Sequence, residues 1–369
     1  MTAVRSSLPR RIPYSGIWID NYSLTAVPGG ALLAGGVEWH RDGIGATSRT
    51  TGGAAFWDAS QEAWFPLEPL PSPRHDHAAV TLADGRVLLI GGRAEQIMEM
   101  NSTLLWEPGA QGFREGPPLI EARARPIAVT LPDGSVLVLG SELDEDLERG
   151  TRAELLRPGA SAWEPAGQTA RIFHTGPVCV SGGQVLIAGG RDNGFGFAII
   201  EGTHYAPPLS QSTELWEHEH RRWRSSGPLA ESRDDPKGIT LSDGRILVVG
   251  GWDHGRALTT SEVWAPGTGL WSSAGTMASA RSSFALTALP DGRAAVSGGL
   301  VEGSFAATAT VEIWHPGTRT WSPGKPLEVS RAGHQLAAVG EGTFLVVGNH
   351  TPTPDAPPET SWELWRPEA

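Results

Sequence analysis

Residues 233–271 read RDDPKGITLSDGRILVVGGWDHGRALTTSEVWAPGTGLW. Two short apolar runs, the second being Ile246–Val249, flank Asp243-Gly244. An Asp-Gly pair between such runs marks a tight hairpin, because glycine takes positive φ at little cost. The second run stops at Gly250-Gly251. Further on, Trp264 and Trp271 stand seven residues apart around the Pro266-Gly267 turn, which makes a second hairpin with a large side chain on each arm. The stretch therefore encodes four short strands in two hairpins.

The pattern recurs along the whole chain of 369 residues, so length alone does not set the domain count. Apolar runs end at Gly35-Gly36, Gly91-Gly92, Gly140-Ser141, Gly189-Gly190, Gly250-Gly251, Gly298-Gly299 and Gly348-Asn349. The pairs Trp57/Trp64, Trp106/Phe113, Leu156/Trp163, Trp216/Trp223 and Trp314/Trp321 repeat the spacing of Trp264/Trp271. A lone four-stranded sheet cannot cover both its faces, whereas sheets arranged radially bury them against one another. The paired aromatics are then the large packing units between sheets, each contributing a few kcal/mol at about 25 cal/mol per Å² buried.

An arginine, an apolar strand, Asp-Gly, an apolar strand ending in Gly-Gly, Glu-x-Trp and a second Trp seven residues on resemble the signature of the kelch-repeat family. The resemblance covers nearly the whole chain. It implies an all-β, seven-bladed kelch β-propeller, with blades near residues 15–70, 74–119, 123–168, 171–229, 233–278, 281–327 and 331–369. The last repeat stops short, since Trp365 has no partner seven residues on. SSLPRR near the N-terminus echoes GPLAESR and KPLEVSR. Residues 1–10, centred on Ala3 to Pro9, are therefore expected to add the outer strand of the last blade and close the ring.

The formal net charge of −12 disfavours nucleic acid and anionic membranes as partners. No apolar run is long enough to span a bilayer. The first residues, MTAVRSSLPRR, carry charge without an apolar core, and Cys179 is the single cysteine, so no internal disulfide can form. These features read as a cytoplasmic monomer.

The kelch resemblance puts the loop between strands 2 and 3, together with the loop before strand 1, at the mouth of the central channel. From the first Gly of each Gly-Gly to the following Trp (or Leu156) is 14–17 residues in five repeats, 22 in the first and 27 in the fourth. Insertions in repeat proteins map to loops, often on the binding face. The first, from Glu38 to Ala55, reads as a Gly- and Thr-rich loop. The fourth, RDNGFGFAIIEGTHYAPPLS from Arg191, carries Phe195, Phe197, His204 and Tyr205, either as a lid over the mouth or as an extra hairpin packed on a neighbouring blade.

Eight of the 11 histidines map to the same face: His40, His75, His77, His174, His204, His254, His334 and His350. Neutral imidazole is a common ligand for Fe, Cu or Zn, and His77, His174, His254 and His334 are the candidate metal ligands. Asp76, Asp192, Asp234, Asp235, Asp253 and Glu38 supply carboxylates to complete such a site. The alternative is that His77, His174 and His334, each three residues after an arginine, hydrogen bond neighbouring loops. The recurring Arg74, Arg123, Arg171, Arg233, Arg281 and Arg331, and Glu154, Glu214, Glu262, Glu312 and Glu363, are too regular for a ligand site and read as structural pairs. Less regular residues complete the candidate mouth: Trp18, Tyr22, Trp39, Arg93, Arg125, Lys237, Trp252 and Phe284.

Two functions fit this face. One is a binding propeller taking a protein, peptide or small-molecule ligand. The other is an enzyme, a metal-dependent lyase or isomerase or an oxidoreductase acting on a small metabolite, with a His/Asp site at the mouth. The family resemblance brings in copper oxidases of the galactose oxidase type, which need a Cys crosslinked to a Tyr, a second Tyr and two His. Here Cys179 lies within a predicted strand, PVCVSGG, with no Tyr placed beside it. No nucleophile motif or phosphate loop points to a named reaction.

Overall fold

The computed structural model describes residues 10–14, 18–42, 45–95, 98–140, 151–170, 178–190, 198–200, 203–205, 210–304, 306–351 and 358–368. Within them the chain is all-β and holds seven four-stranded antiparallel sheets. Sheet one contains Ser23–Val27, Gly30–Ala34, Ala54–Asp58 and Ala63–Pro66; sheet two contains Ala78–Thr81, Val87–Ile90, Thr103–Trp106 and Phe113–Glu115. Sheet three follows with Ile127–Thr130, Val136–Leu139, Arg152–Leu156 and Glu164–Gln168, and sheet four with Val178–Ser181, Gln184–Ala188, Thr213–Glu217 and Arg222–Ser225. Sheet five is Lys237–Thr240, Ile246–Val249, Thr260–Ala265 and Leu270–Thr276; sheet six is Ala285–Ala288, Ala294–Ser297, Val311–His315 and Thr320–Gly324. Sheet seven joins Gln335–Gly340, Thr343–His350 and Glu359–Trp365 to Arg10–Arg11.

The seven-residue aromatic spacing puts both side chains at one level of a hairpin. Trp57 pairs with Trp64, Trp216 with Trp223, Trp264 with Trp271 and Trp314 with Trp321. The first member is the buried one: Trp57, Trp106, Trp216, Trp264 and Trp314 are all but sealed from solvent. Each core cluster draws on two sheets. Trp106, for example, packs with Leu104 and Leu89 of its own sheet and with Val27, Leu32 and Ala34 of sheet one. Several indoles also donate across a seam, Trp216 Nε1 to the Ala166 carbonyl at 2.9 Å and Trp314 Nε1 to that of Ala274 at 2.8 Å.

The first strands of the sheets stand side by side. Ser23–Val27 lies against Ala78–Thr81, and the succession runs through to Gln335–Gly340, which also lies against Ser23–Val27. Threonines tie these strands together: Thr81 Oγ1 donates to the Ala26 carbonyl (2.6 Å), Thr130 to Thr81 (3.0 Å) and Thr240 to Val180 (2.7 Å). Between them lies a cavity of about 520 Å³ walled by Val80, Thr130, Cys179, Ile239 and Ala288 among others.

The Gly-Gly pairs fasten one sheet to the next. Gly36 N–H donates to the Arg74 carbonyl at 2.8 Å and Gly299 N–H to that of Arg331 at 2.8 Å. Both glycines of a pair have positive φ, and a Cβ on Gly35 would sit 2.5 Å from the Arg74 carbonyl oxygen. Only glycine allows that approach.

The expected N-terminal strand falls largely outside the described residues, and one expectation needs correction. The N-terminal partner of sheet seven pairs at Arg10↔Trp362 and Arg11↔Ser361, and residues 1–9, where Ala3 to Pro9 were expected to form it, lie outside the described residues. The first insertion is a built hairpin. Val37–Asp42 pairs with Gly45–Thr50, and Trp18–Asp20 joins its edge to make a three-stranded sheet. Its side chains alternate, with Ile19 and Glu38 buried beneath it.

Candidate functional site

Among the described residues, the backbone turns left-handed two residues after each strand-entry arginine. Asp76 (φ 53), Arg125 (φ 47), Asp235 (φ 46), Ser283 (φ 51) and Gly333 (φ 66) hold this position, and Asn21 (φ 54) holds it before sheet one. Three neighbouring pairs are hydrogen bonded: Asp76 N–H to the Asn21 carbonyl (3.1 Å), Arg125 N–H to that of Asp76 (3.0 Å) and Gly333 N–H to that of Ser283 (2.7 Å). Non-glycine residues with positive φ are uncommon and store strain, which concentrates at functional positions. The arrangement displays a carboxamide, two carboxylates, a guanidinium and a hydroxyl from one band of backbone.

Around Asp76 several of the expected mouth residues do come together. Its carboxylate lies 3.4 Å from Arg125 Nε, 4.0 Å from an Arg93 terminal nitrogen and 3.8 Å from His75 Nε2. Thr50 Oγ1 sits 3.1 Å from His75 Nδ1, which links the three-stranded sheet to this cluster. Burial, aided by Arg93 and Arg125, holds the His75 pKa below its usual value, although Asp76 pulls the other way. Near sheet five, Lys237 Nζ meets Asp235 at 2.7 Å, and Ser232 Oγ donates to Asp253 at 2.5 Å. Trp252 is half-buried in a hairpin with Ala257 and exchanges both backbone hydrogen bonds with Asp234. His254, on the tip of that hairpin, is 81% exposed.

Other expected mouth residues are scaffold. His77 and His334 are buried, with Nε2 at 2.9 Å from Ser23 Oγ and 2.8 Å from Ser297 Oγ of the preceding sheets. Burial, with the neighbouring Arg74 or Arg331, takes each imidazole down to about 3. Tyr22 lies in the core, its hydroxyl donating to the Val347 carbonyl at 2.9 Å, and burial raises its pKa. His350 is buried against the Glu359 carbonyl and Ser361. Phe284 packs in the core beside Val249 and Val263. The kelch resemblance placed these chain positions at the mouth, but their side chains are buried.

Of the four candidate metal ligands, His77 and His334 are thus enclosed, His254 projects into solvent and His174 lies outside the described residues. Among the described residues no three His, Cys, Asp or Glu side chains gather as a ligand set. Phe195 and Phe197 also lie outside the described residues. His204 and Tyr205 fall on a short strand, Thr203–Tyr205, paired with Ala198–Ile200, which gives the fourth insertion a hairpin of its own.

Sequence reasoning missed Asp20, Asn21 and Asn349. Trp18 and Trp39, directly opposite one another, stack with ring centroids 5.4 Å apart and planes within 10°. Asp20 shares their face of the three-stranded sheet and accepts from Asn349 Nδ2 at 2.6 Å. Burial raises the Asp20 pKa, against the pull of Asn349, Trp39 and Trp18. The available signal was the alternation of Trp18 and Asp20 about Ile19.

The chain carries a Kelch motif, matched over residues 236–278. No curated protein sequence matches it. Among solved structures it is similar to a fungal alcohol oxidase of the AA5 family in complex with copper, at 15% identity and a TM-score of 0.70, over 97% of this chain and 76% of that one. That likeness is one of fold. The residues do not fit a Cys–Tyr copper site: Cys179 packs among Leu186, Ala188 and Leu215, and burial lifts its thiol to about 12. Tyr14 and Tyr22 belong to another cluster, where Tyr14 donates to the Gly53 carbonyl. Tyr205 stands on the hairpin of the fourth insertion.

Proposed function

We propose that the seven sheets are the blades of one closed kelch propeller, completed by the N-terminal strand, and that the protein is a binding module for a protein or peptide. The observation that carries this reading is the hydrogen-bonded, left-handed band Asn21, Asp76 and Arg125, with Asp235 and Ser283 at the equivalent positions. It presents unlike polar groups from fixed backbone. Such a surface recognises a ligand by pattern. The net charge of −12 supports a partner other than nucleic acid or an anionic membrane.

Affinity capture from extract of the source cells tests the reading. A partner retained by the wild-type protein should be lost with Asp76→Ala and Arg125→Ala, and kept with Glu217→Ala at the far turn of sheet four. Capture that ignores the mouth variants overturns it. Stoichiometric Fe, Cu or Zn in protein purified without a polyhistidine tag would favour a metal-dependent enzyme instead.

A further inference from the structure

Nearly every carboxylate close to the mouth faces a cation. Asp76 has Arg93 and Arg125, Asp235 has Lys237, and Glu38 has Arg49 at 3.0 Å. Asp253 has Ser232 Oγ and lies 3.7 Å from His254. Asp20 differs. It is half-buried, it accepts from the Asn349 amide and is drawn on by the Trp39 and Trp18 indole N–H groups, and among the described residues no cationic side chain is paired with it. All three donors are neutral, so the charge of this half-buried carboxylate meets no opposite charge among the described residues. Beside it, on the same face of the same sheet, stands the stacked pair Trp18 and Trp39, both half-buried. Indole faces attract cations more strongly than other aromatic rings do. An aromatic pair next to an uncompensated carboxylate, in a protein of net charge −12, is a receptor for positive charge.

We propose that Trp18, Trp39 and Asp20 form a subsite for an organic cation, the guanidinium or ammonium end of an arginine or lysine side chain on the peptide bound at the mouth. The inference rests on the binding reading above and names the chemistry of one end of the ligand. The cation lies against the Trp faces and completes the charge of Asp20. Asn349, which also donates to the Ile19 carbonyl at 3.1 Å, holds the carboxylate in place. Thr50 and His75 connect this subsite to the Asp76 cluster, so the two are parts of one surface.

Calorimetric titration with tri-arginine and with its neutral isostere tri-citrulline tests the subsite. Tri-arginine should bind at least about tenfold more tightly than tri-citrulline, and Asp20→Asn and Trp39→Leu should each weaken it by about tenfold. Glu219→Gln, which removes a charge from the far face, should leave it unchanged. Near-UV circular dichroism checks that each variant is folded, and Asp20→Asn, being isosteric, decides the matter if Trp39→Leu does not fold. Equal affinity for the two peptides, or tri-arginine binding indifferent to Asp20→Asn, overturns the subsite. If a captured partner depends on Arg125 while tri-arginine ignores Asp20, the binding reading stands and the subsite falls. If tri-arginine binds through Asp20 and capture yields no partner, the subsite stands and the protein-partner reading falls.

Discussion

Arg74 donates to Ser102 Oγ at 2.9 Å in the place where its counterparts reach a glutamate. Arg123, Arg233, Arg281 and Arg331 bond Glu154, Glu262, Glu312 and Glu363, and each glutamate also accepts a backbone N–H, from Ile120, Ala230, Ala278 and Glu328 in turn. In sheet two both of those features are gone. Leu104 occupies the glutamate position, and the residue that would give its N–H is Pro71, which has none. The guanidinium is satisfied by Ser72, Ser102 and carbonyls, and burial takes it down to about 10. Sheet one drops the whole motif: Ile19 and Ala55 stand at the two positions, both fully buried. Losing both partners is cheap, whereas stranding one is not.

Ser102→Ala should therefore lower stability by about 1–3 kcal/mol, the cost of an unmet buried donor on a charged group. Glu262→Ala should cost more, about 3–5 kcal/mol, because it removes the buried counter-charge of Arg233 and leaves only the half-buried Glu231 beside it. Urea denaturation midpoints of the two variants give the comparison; a harmless Glu262→Ala would contradict it.

The left-handed positions predict a reciprocal pair of effects. Ser283→Gly removes the steric cost of φ 51 and should stabilise by about 1 kcal/mol. Gly333→Ala should destabilise by a similar amount, about 1 kcal/mol. A Cβ on Gly333 meets nothing within 4 Å, so that cost is one of backbone alone. Thermal melting of both variants should move in opposite directions.

The buried histidines set an acid limit. His77 and His334 sit near 3 in the folded protein, through burial first and Arg74 or Arg331 second, against about 6.5 when unfolded. A base whose folded pKa is depressed loses stability as pH falls below its unfolded value, because only the unfolded chain takes up the proton. The window runs from about 6.5 down to about 3, and at pH 5 it costs roughly 2 kcal/mol per histidine. Stability measured at pH 7.5 and pH 5 should fall less in a His77→Gln, His334→Gln double variant than in the wild type. An identical fall in both proteins would mean that these imidazoles do not stay neutral.

Truncation probes the seam between the chain ends. Arg10 and Arg11 pair with Trp362 and Ser361, and Arg11 meets Glu359 at 3.0 Å. Removing residues 1–11 exposes the edge of Glu359–Trp365 and should lower the melting temperature by several degrees. An unchanged melting curve would show that the N-terminal strand contributes nothing to sheet seven.

The strands were legible because their signals are local. Asp243-Gly244 and the Trp264/Trp271 spacing describe hairpins whose partners lie within a few residues, and the same grammar repeats in the other sheets. The three-stranded sheet of Trp18, Trp39 and Ser48 was obscured by the glycines and threonines of its hairpin. Its third strand comes from before sheet one, which no local pattern announces. Two readings of the inward histidines stayed open for a related reason. His77 finds Ser23 at a separation of 54 residues, so its burial depends on how two repeats dock and not on its own neighbours. The Arg and Glu series could be read as scaffold because repetition at fixed spacing is itself long-range information.

The hydrogen-bonded band that links Asn21, Asp76 and Arg125 has a consequence for how such a protein changes over time. Its links run from amide to carbonyl, and the side chains take no part in them. Each position is therefore a socket whose occupant can be exchanged without rewiring the chain. The glycine at 333 is an empty socket, the serine at 283 a minimal one and the arginine at 125 a full one. A gene carrying such sockets can acquire a new recognition specificity by single codon changes at a handful of sites, while the buried frame that sets their spacing stays fixed.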